Sequence, residues 1–214
     1  MRPWIVATLL LCSTSLTANE KTALERGDYG PLDKAPETAL YERPTQVSDR
    51  VYSAIGATQP PTYENAGHNN NLSFVIGDDV VLVVNGGSNN ALARALHEEI
   101  KAVTDKPVAY VISENGQGHA FLGNHYWKMQ GATLIGHADA QGEIDEKGFG
   151  ALTRMQAYAK EFAQDTDLAN FDETFEREYR LDLGNLPIIA KIYGGAHSPG
   201  DATVLVPTEN VAIA

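Results

Sequence analysis

Two loops of this 214-residue sequence hold the side chains best suited to chemistry. The first loop reads SENGQGH and places Glu114 and His119 five residues apart across a glycine-rich turn. A carboxylate and an imidazole so placed can hold a metal ion or pass a proton. Gly116 and Gly118 allow a ligand to approach the backbone closely. A lone histidine at a helix start is more often structural, so this loop needs support from elsewhere in the chain.

The second loop reads GGAHSPGD and contains His197 between two predicted strands. A histidine held by glycines at a strand end is a better ligand candidate than one on a helix face. Ser198 and Asp201 could orient the imidazole through hydrogen bonds. A purely structural turn is the competing interpretation.

A third candidate is His68, which lies in ENAGHNNN before the first predicted hairpin. Asparagine clusters usually satisfy the backbone of turns, so a structural role is the alternative for this segment. We treat His68 as a residue that lines a site if the fold brings it there.

The predicted elements place these loops at strand ends. The segment NLSFVIGDDVVLVVNGG predicts two strands joined at Gly77, and the residues from Ser88 to Asn90 can cap the helix that follows. The nearly continuous apolar run PVAYVI predicts a buried central strand that leads directly into the Glu114 loop.

The second half of the sequence continues with strands and one more helix. GATLIGH predicts a strand, and FGALTRMQAYAKEFAQ, residues 149–164, predicts a helix. Two strands then flank a turn at Gly184 and Asn185, and ATVLVP and NVAIA predict two more. Strands, then alternating helix and strand, then strands again indicate an α/β domain with a mixed sheet.

The N-terminus predicts export. Residues 1–18 have one arginine, a short apolar run and small polar residues, which is the pattern of a secretory signal peptide and too short for a membrane span. We expect a periplasmic or secreted protein that is not in the membrane after cleavage. Residues 19–47 are predicted to be an extended arm, and residues 48–214 the domain. Cys12 is the only cysteine, so the mature chain would have no disulfide or thiol chemistry.

The charge of the chain argues against one class of partner. The formal net charge is −12, and no stripe of lysine and arginine is present. Binding to nucleic acid requires such a basic surface, so we expect no nucleic-acid partner.

Several segments together resemble the metallo-β-lactamase superfamily, from about residue 47 to residue 214. The resemblance is carried by NNNLSFVIGDDVVLVVNGG, TDKPVAYVISENGQGHAFLGNHYW, GATLIGH and GGAHSPGDATVLVP, which follow the order of the family. It implies an αβ/βα sandwich with mixed sheets. Because the family continues with further strand and helix, we expect that the second half of the sandwich is incomplete and that the chain is truncated.

The family motif Thr-His-x-His-x-Asp-His is replaced in this sequence. Aligning His119 with the last histidine of that motif puts Glu114 at the first, and the sequence resembles a divergent branch with Asn-Gly-Gln-Gly-His. Asn85 stands where the family has an acid, whereas the later family histidine is present as His197. The resemblance thus implies a degenerate site holding at most one Zn or Fe ion on Glu114, His119 and His197, with Gln117 nearby, or no metal.

The resemblance implies an exported metallo-hydrolase-like enzyme in which Glu114 and His119 are catalytic. Its substrate would be a small molecule with an ester, amide or thioester bond. Two alternatives stay open: a non-catalytic binding or assembly module, and an inactive fragment. We expect either a homo-oligomer or a partner that covers the exposed sheet, because an uncovered strand edge promotes association.

Overall fold

A computed structural model of the protein describes residues 38–214. The strands in this range are β1 (Thr45–Gln46), β2 (Val51–Ala54), β3 (Leu72–Ile76), β4 (Val81–Val84), β5 (Val108–Ile112), β6 (Thr133–His137), β7 (Glu173–Phe175), β8 (Glu178–Asp182), β9 (Pro187–Ile192), β10 (Ala202–Val206) and β11 (Val211–Ile213). The helices are α1 (Asn90–Val103), α2 (Gly118–Phe121), α3 (Asn124–Met129) and α4 (Ala138–Ala159), and two 3₁₀ turns span Lys160–Ala163 and Pro207–Glu209.

The first seven strands form one mixed sheet in sequence order. Strands β1 to β4 pair antiparallel, and β4 to β7 pair parallel. The predicted hairpin between β3 and β4 is confirmed, with Ile76 opposite Val81. Strand β5 lies in the middle of the parallel part, which confirms the prediction of a central strand before the Glu114 loop.

The last four strands form a second, antiparallel sheet in the order β11-β10-β9-β8. One apolar cluster fills the space between the two sheets, and it includes Val75, Leu82, Ile112, Ile188 and Val204. A second cluster joins the other face of the seven-stranded sheet to the helices. Since residues of one sheet alternate between its two faces, the seven-stranded sheet contributes side chains to both clusters and forms the middle layer.

The first helix begins as its sequence predicts. Asn89 is the N-cap of α1, and its side chain accepts a 2.8 Å hydrogen bond from the backbone N–H of Leu92. Leu92, Leu96 and Ile100 are buried on one face, which is the spacing of an amphipathic helix.

The prediction for the second long helix was wrong at its start. Helix α4 begins at Ala138, eleven residues before Phe149, where the sequence predicted its start. The His137 side chain caps it by accepting a hydrogen bond from the backbone N–H of Asp139 at 3.1 Å. The first turns bury a narrow stripe of Ala140, Ile144 and Gly148, in which only Ile144 is large and apolar, so the apolar repeat that usually reveals a helix is weak there.

The predicted signal peptide, residues 1–18, and residues 19–37 of the predicted arm lie outside the described residues. The remainder of that arm packs on the domain, since Leu40 is fully buried and the backbone N–H of Tyr41 donates a 2.8 Å hydrogen bond to Nδ1 of His68. Between residues 38 and 214, no helix combines the length and the apolar character needed to cross a bilayer.

Candidate functional site

The loop after β5 is shaped by short-range contacts. The Asn115 side chain accepts a 3.0 Å hydrogen bond from the backbone N–H of Gln117, which turns the chain. A Cβ atom at Gly116 would lie 2.5 Å from the carbonyl oxygen of Ala140. Only glycine therefore lets the loop pack this closely on the first turn of α4, just before the short helix α2 that contains His119.

Asn85 supports this loop from the end of β4. It is buried and adopts a φ of 69°, in the left-handed region where asparagine is better tolerated than most residues. Its Oδ1 accepts a 3.0 Å hydrogen bond from the backbone N–H of Glu114, and its Nδ2 donates to the carbonyl oxygen of Asn71 at 3.2 Å. The predicted site residue Asn85 thus positions Glu114 through the backbone.

The loop between β9 and β10 is organised by Asp201. The Oδ2 atom of Asp201 accepts hydrogen bonds from the backbone N–H groups of Ala196, His197 and Ser198. Its Oδ1 atom accepts a 2.9 Å hydrogen bond from the Ser198 hydroxyl. Ser198 and Asp201 therefore hold the main chain around His197, whereas the sequence predicted that they would hold its imidazole.

The two loops converge on one cleft of about 370 Å³, whose lining includes Glu114, His119, Tyr193, His197, Asp201 and Ala202. We call it the acidic cleft. Nε2 of His119 lies 3.9 Å from Oε1 of Glu114. The His119 and His197 ring centroids are 6.3 Å apart, and Nε2 of His197 lies 2.9 Å from Oε1 of Gln117. The three side chains predicted to act together are therefore neighbours.

The environment changes the proton affinities of Glu114 and His119 in opposite directions. Burial raises the pKa of Glu114, and the negative charge of Asp201 adds to this rise, although a hydrogen bond with Asn85 opposes it. Burial lowers the pKa of His119, and the neighbouring His197 lowers it further. The two pKa values are thus moved toward each other, which favours exchange of a proton between the groups.

The donor geometry does not fit the predicted three-ligand metal site. Among residues 38–214, no group of three histidine, cysteine, aspartate or glutamate side chains converges as metal ligands must. The amide of Gln117 occupies the Nε2 atom of His197, and backbone donors occupy the carboxylate of Asp201. Glu114 and His119 approach each other at 3.9 Å, and these two donors alone do not complete a coordination shell.

Four predicted site residues are not lining residues of the acidic cleft: His68, Asn85, Gln117 and Ser198. His68 is fully buried and bonds to the backbone of Tyr41, so its role is to hold the segment before β1. Sequence reasoning missed Tyr193, a residue 68% exposed at the cleft, and Arg154 on α4. A tyrosine beside the glycines of the second loop was a usable signal, whereas nothing near Arg154 in the sequence distinguished it.

A second cleft of about 430 Å³ lies beside the first, and its lining includes Asn69, Gln117, His119, Arg154, Tyr158 and His197. We call it the arginine cleft. His119 and His197 line both clefts and so form the boundary between them.

Ala140 lies where the two functional loops meet α4. A Cβ atom at Gly200 would lie 2.6 Å from the backbone nitrogen of Ala140, and Gly116 contacts the carbonyl oxygen of the same residue. The first turn of α4 therefore contacts both the loop that leads to His119 and the loop that carries His197.

Comparisons with known proteins support the fold. No family model matches the sequence. Cytoplasmic C-1-tetrahydrofolate synthase of Drosophila melanogaster is 26% identical over 98 residues, which are 44% of this chain and 10% of that protein. A metallo-β-lactamase from Pontibacter korlensis is similar in structure, with a TM-score of 0.59 and 15% identity over 77% of this chain and 66% of that chain. The chain thus spans about two thirds of that structure and a tenth of the curated relative. Together with the mixed seven-stranded sheet, the structural similarity shows that this chain has a metallo-β-lactamase-like α/β fold.

Proposed function

We propose that this protein is a hydrolase of small molecules that uses Glu114 and His119 as an acid–base pair against an ester, amide or thioester bond. The observation that carries the proposal is the 3.9 Å approach of the two side chains in a cleft that changes both pKa values. Perturbed ionisable groups in a cleft are typical of catalytic sites.

The half-buried environment suits proton transfer. The Glu114 and His119 side chains are 17% and 21% exposed, so both reach the cleft yet are shielded from bulk water. A general base acts best when its pKa lies near the working pH, and general acid–base catalysis typically contributes about 10²–10⁴-fold in rate. A moderate hydrolytic rate is therefore expected.

The proposed reaction is hydrolysis by attack of a water molecule on the carbonyl carbon of the substrate. Nε2 of neutral His119 accepts a proton from water as the water oxygen bonds to the carbonyl carbon of the substrate. The bond from that carbon to the leaving oxygen, nitrogen or sulfur then breaks, and the leaving atom takes a proton from the pair. The products are a carboxylic acid and an alcohol, amine or thiol. Glu114 stabilises the positive charge that His119 gains.

No step is routed through a metal ion, because the donors present do not form a site for one. A single Zn or Fe ion would require His197 to leave Gln117 and turn toward His119 and Glu114. The export predicted from the N-terminus belongs to the same proposal, with a periplasmic or secreted location. A binding module without catalysis is the competing function, and it predicts no turnover.

The test measures hydrolysis of 4-nitrophenyl hexanoate by the wild type, His119→Ala, Glu114→Gln and the control His125→Ala, with and without EDTA. His125 contacts Asn90 rather than either cleft, so its variant should keep wild-type activity. We expect turnover in EDTA that falls about 100-fold in His119→Ala. Turnover equal to buffer would contradict the proposal, and turnover only with added Zn²⁺ would replace it by the single-metal site.

A further inference from the structure

We propose that the arginine cleft binds an anionic group of the substrate and that Arg154 selects for it. This inference rests on the proposed hydrolysis and names its substrate class: an ester, amide or thioester that carries a carboxylate or phosphate away from the bond to be broken. The two sides of the His119–His197 boundary carry different charges.

Arg154 is a cation without a carboxylate partner. It is exposed on α4, and no Asp or Glu among residues 38–214 lies within ion-pair distance of it, although the chain carries a net charge of −12. Lys147 on the same helix, by contrast, pairs with Glu143 at 3.5 Å. A guanidinium stays charged at all physiological pH values and offers a planar set of donors that matches carboxylate and phosphate oxygens.

The two clefts differ in the sign of their charge. Glu114 and Asp201 line the acidic cleft, and none of its described lining residues is a lysine or arginine. Arg154 lines the arginine cleft, where the described lining includes no aspartate or glutamate. An anion is therefore repelled from the first cleft and attracted to the second, so the charge pattern fixes the direction in which a charged substrate binds.

Neutral polar groups accompany Arg154. Gln117 lines the arginine cleft, and because its Oε1 is engaged by His197, its side-chain N–H₂ group is left to donate elsewhere. Asn69 belongs to the same lining. A few such polar groups around a charge are what orients a ligand in a small-molecule site.

His119 lies between the charged end and the reacting bond. Because it lines both clefts, a substrate whose anion contacts Arg154 can present its carbonyl group to the other side of His119, next to Glu114. The negative charge of the substrate then stays apart from the carboxylates of Glu114 and Asp201. This arrangement favours a bifunctional substrate over a simple neutral ester.

A binding experiment tests the anion site without requiring turnover. Adipate and inorganic phosphate are titrated into the full chain while the imidazole signals of His119 and His197 are followed by NMR. We expect both signals to shift, and Arg154→Ala to weaken the binding about tenfold, as expected for loss of a charge-assisted hydrogen bond. The control Lys147→Ala removes the same charge from the same helix and should bind like the wild type.

Response to adipate alone, or to phosphate alone, supports the inference and identifies the anion. Equal binding by wild type and Arg154→Ala, or equal weakening in Lys147→Ala, would overturn it.

A kinetic experiment tests the substrate class with two esters of equal chain length, mono-4-nitrophenyl adipate and neutral 4-nitrophenyl hexanoate. We expect Arg154→Ala to lower kcat/KM for the adipate ester about tenfold relative to kcat/KM for the hexanoate ester. Lys147→Ala should leave this ratio unchanged. Anion binding that depends on Arg154 without any hydrolysis would contradict the proposed function alone. Hydrolysis with the same kcat/KM ratio in the wild type and in Arg154→Ala would contradict this inference alone.

Discussion

The backbone N–H of Ala202 donates a 2.7 Å hydrogen bond to the carbonyl oxygen of Glu114, which joins the first residue of β10 to the loop after β5. This bond links the two sheets at the acidic cleft and fixes Glu114 between them. The carboxylate is consequently only 17% exposed, which explains why burial dominates its proton affinity.

Glu114→Gln should stabilise the protein at neutral pH. The pKa of Glu114 is raised in the folded state, so the folded protein binds a proton more readily than the unfolded chain does. The wild type therefore loses stability as pH rises above the ordinary glutamate value, because a buried carboxylate must ionise. We expect the variant to have a higher Tm at pH 7, by about 2–4 °C for each kcal/mol of stabilisation. Below the ordinary pKa of glutamate, the two proteins should have the same Tm. A variant that is less stable at pH 7 would contradict this account.

Asn85→Ala should be more harmful than Asn85→Gly. Both variants lose the hydrogen bonds to Glu114 and Asn71, which we expect to cost about 2 kcal/mol in the free energy of unfolding. Alanine must also adopt the φ of 69°, which costs about 1–2 kcal/mol more than glycine does. Denaturant unfolding measures the difference, and equal losses would show that the backbone relaxes at this position.

Gly116→Ala should displace the functional loop. Its Cβ would lie 2.5 Å from the carbonyl oxygen of Ala140, a backbone atom that cannot easily move, and we expect a loss of about 1–3 kcal/mol. The matched control is Gly142→Ala in α4, where the new Cβ meets nothing within 4 Å. The control should gain up to about 1 kcal/mol from helix propensity. Similar effects of the two variants on Tm would refute the close packing.

Asp201→Ala should loosen the His197 loop and make it insensitive to acid. Burial alone would raise the pKa of Asp201, but hydrogen bonds from Ser198, His197 and Ala196 hold it below its ordinary value. The stability that Asp201 contributes is present above that value and is lost as pH falls. We expect a loss of about 1–3 kcal/mol at pH 7.

Ser198→Ala is the control for Asp201, because it removes one of the four hydrogen bonds and keeps the carboxylate. The free energy of unfolding of Ser198→Ala should be about 1 kcal/mol lower than that of the wild type, and it should still fall as pH falls. Loss of that sensitivity in Ser198→Ala would mean that Asp201 is not its source.

His68 should make folding sensitive to mild acid. Burial lowers the pKa of His68 from 6.5 to about 4, so the unfolded chain takes up the proton first. Stability should fall as pH drops from 6.5 toward 4, by at most on the order of 3 kcal/mol. His68→Gln cannot titrate, and it should be less stable than the wild type at pH 8 but show a flatter profile. Equal slopes for the two proteins would assign the pH dependence to other groups.

The sequence predicted those features that depend on neighbouring residues. The β3–β4 hairpin follows from Gly77 with its two aspartates, and the start of α1 follows from Asn89 three residues before Leu92. The first turns of α4 could not be predicted in this way. Their buried face consists of Ala140, Ile144 and Gly148, and one large apolar side chain with two small residues does not distinguish a helix from a loop.

The candidate site was predicted as a set of residues but not as a geometry. Glu114, His119 and His197 do share a cleft, because both loops extend from strand ends at the same edge of the sandwich. The sequence could not show that Gln117 engages His197, 80 positions later, or that His68 bonds to Tyr41. Such long-range pairs depend on tertiary packing, which also created the arginine cleft between α4 and the loops.

The contacts of Gly116 and Gly200 with Ala140 give the two histidines a common mechanical support. Because each glycine packs on backbone atoms of the same residue, the first turn of α4 sets the positions of both histidine loops. Arg154 lies about four turns further along the same helix, so the arginine cleft and both histidine loops share one structural support.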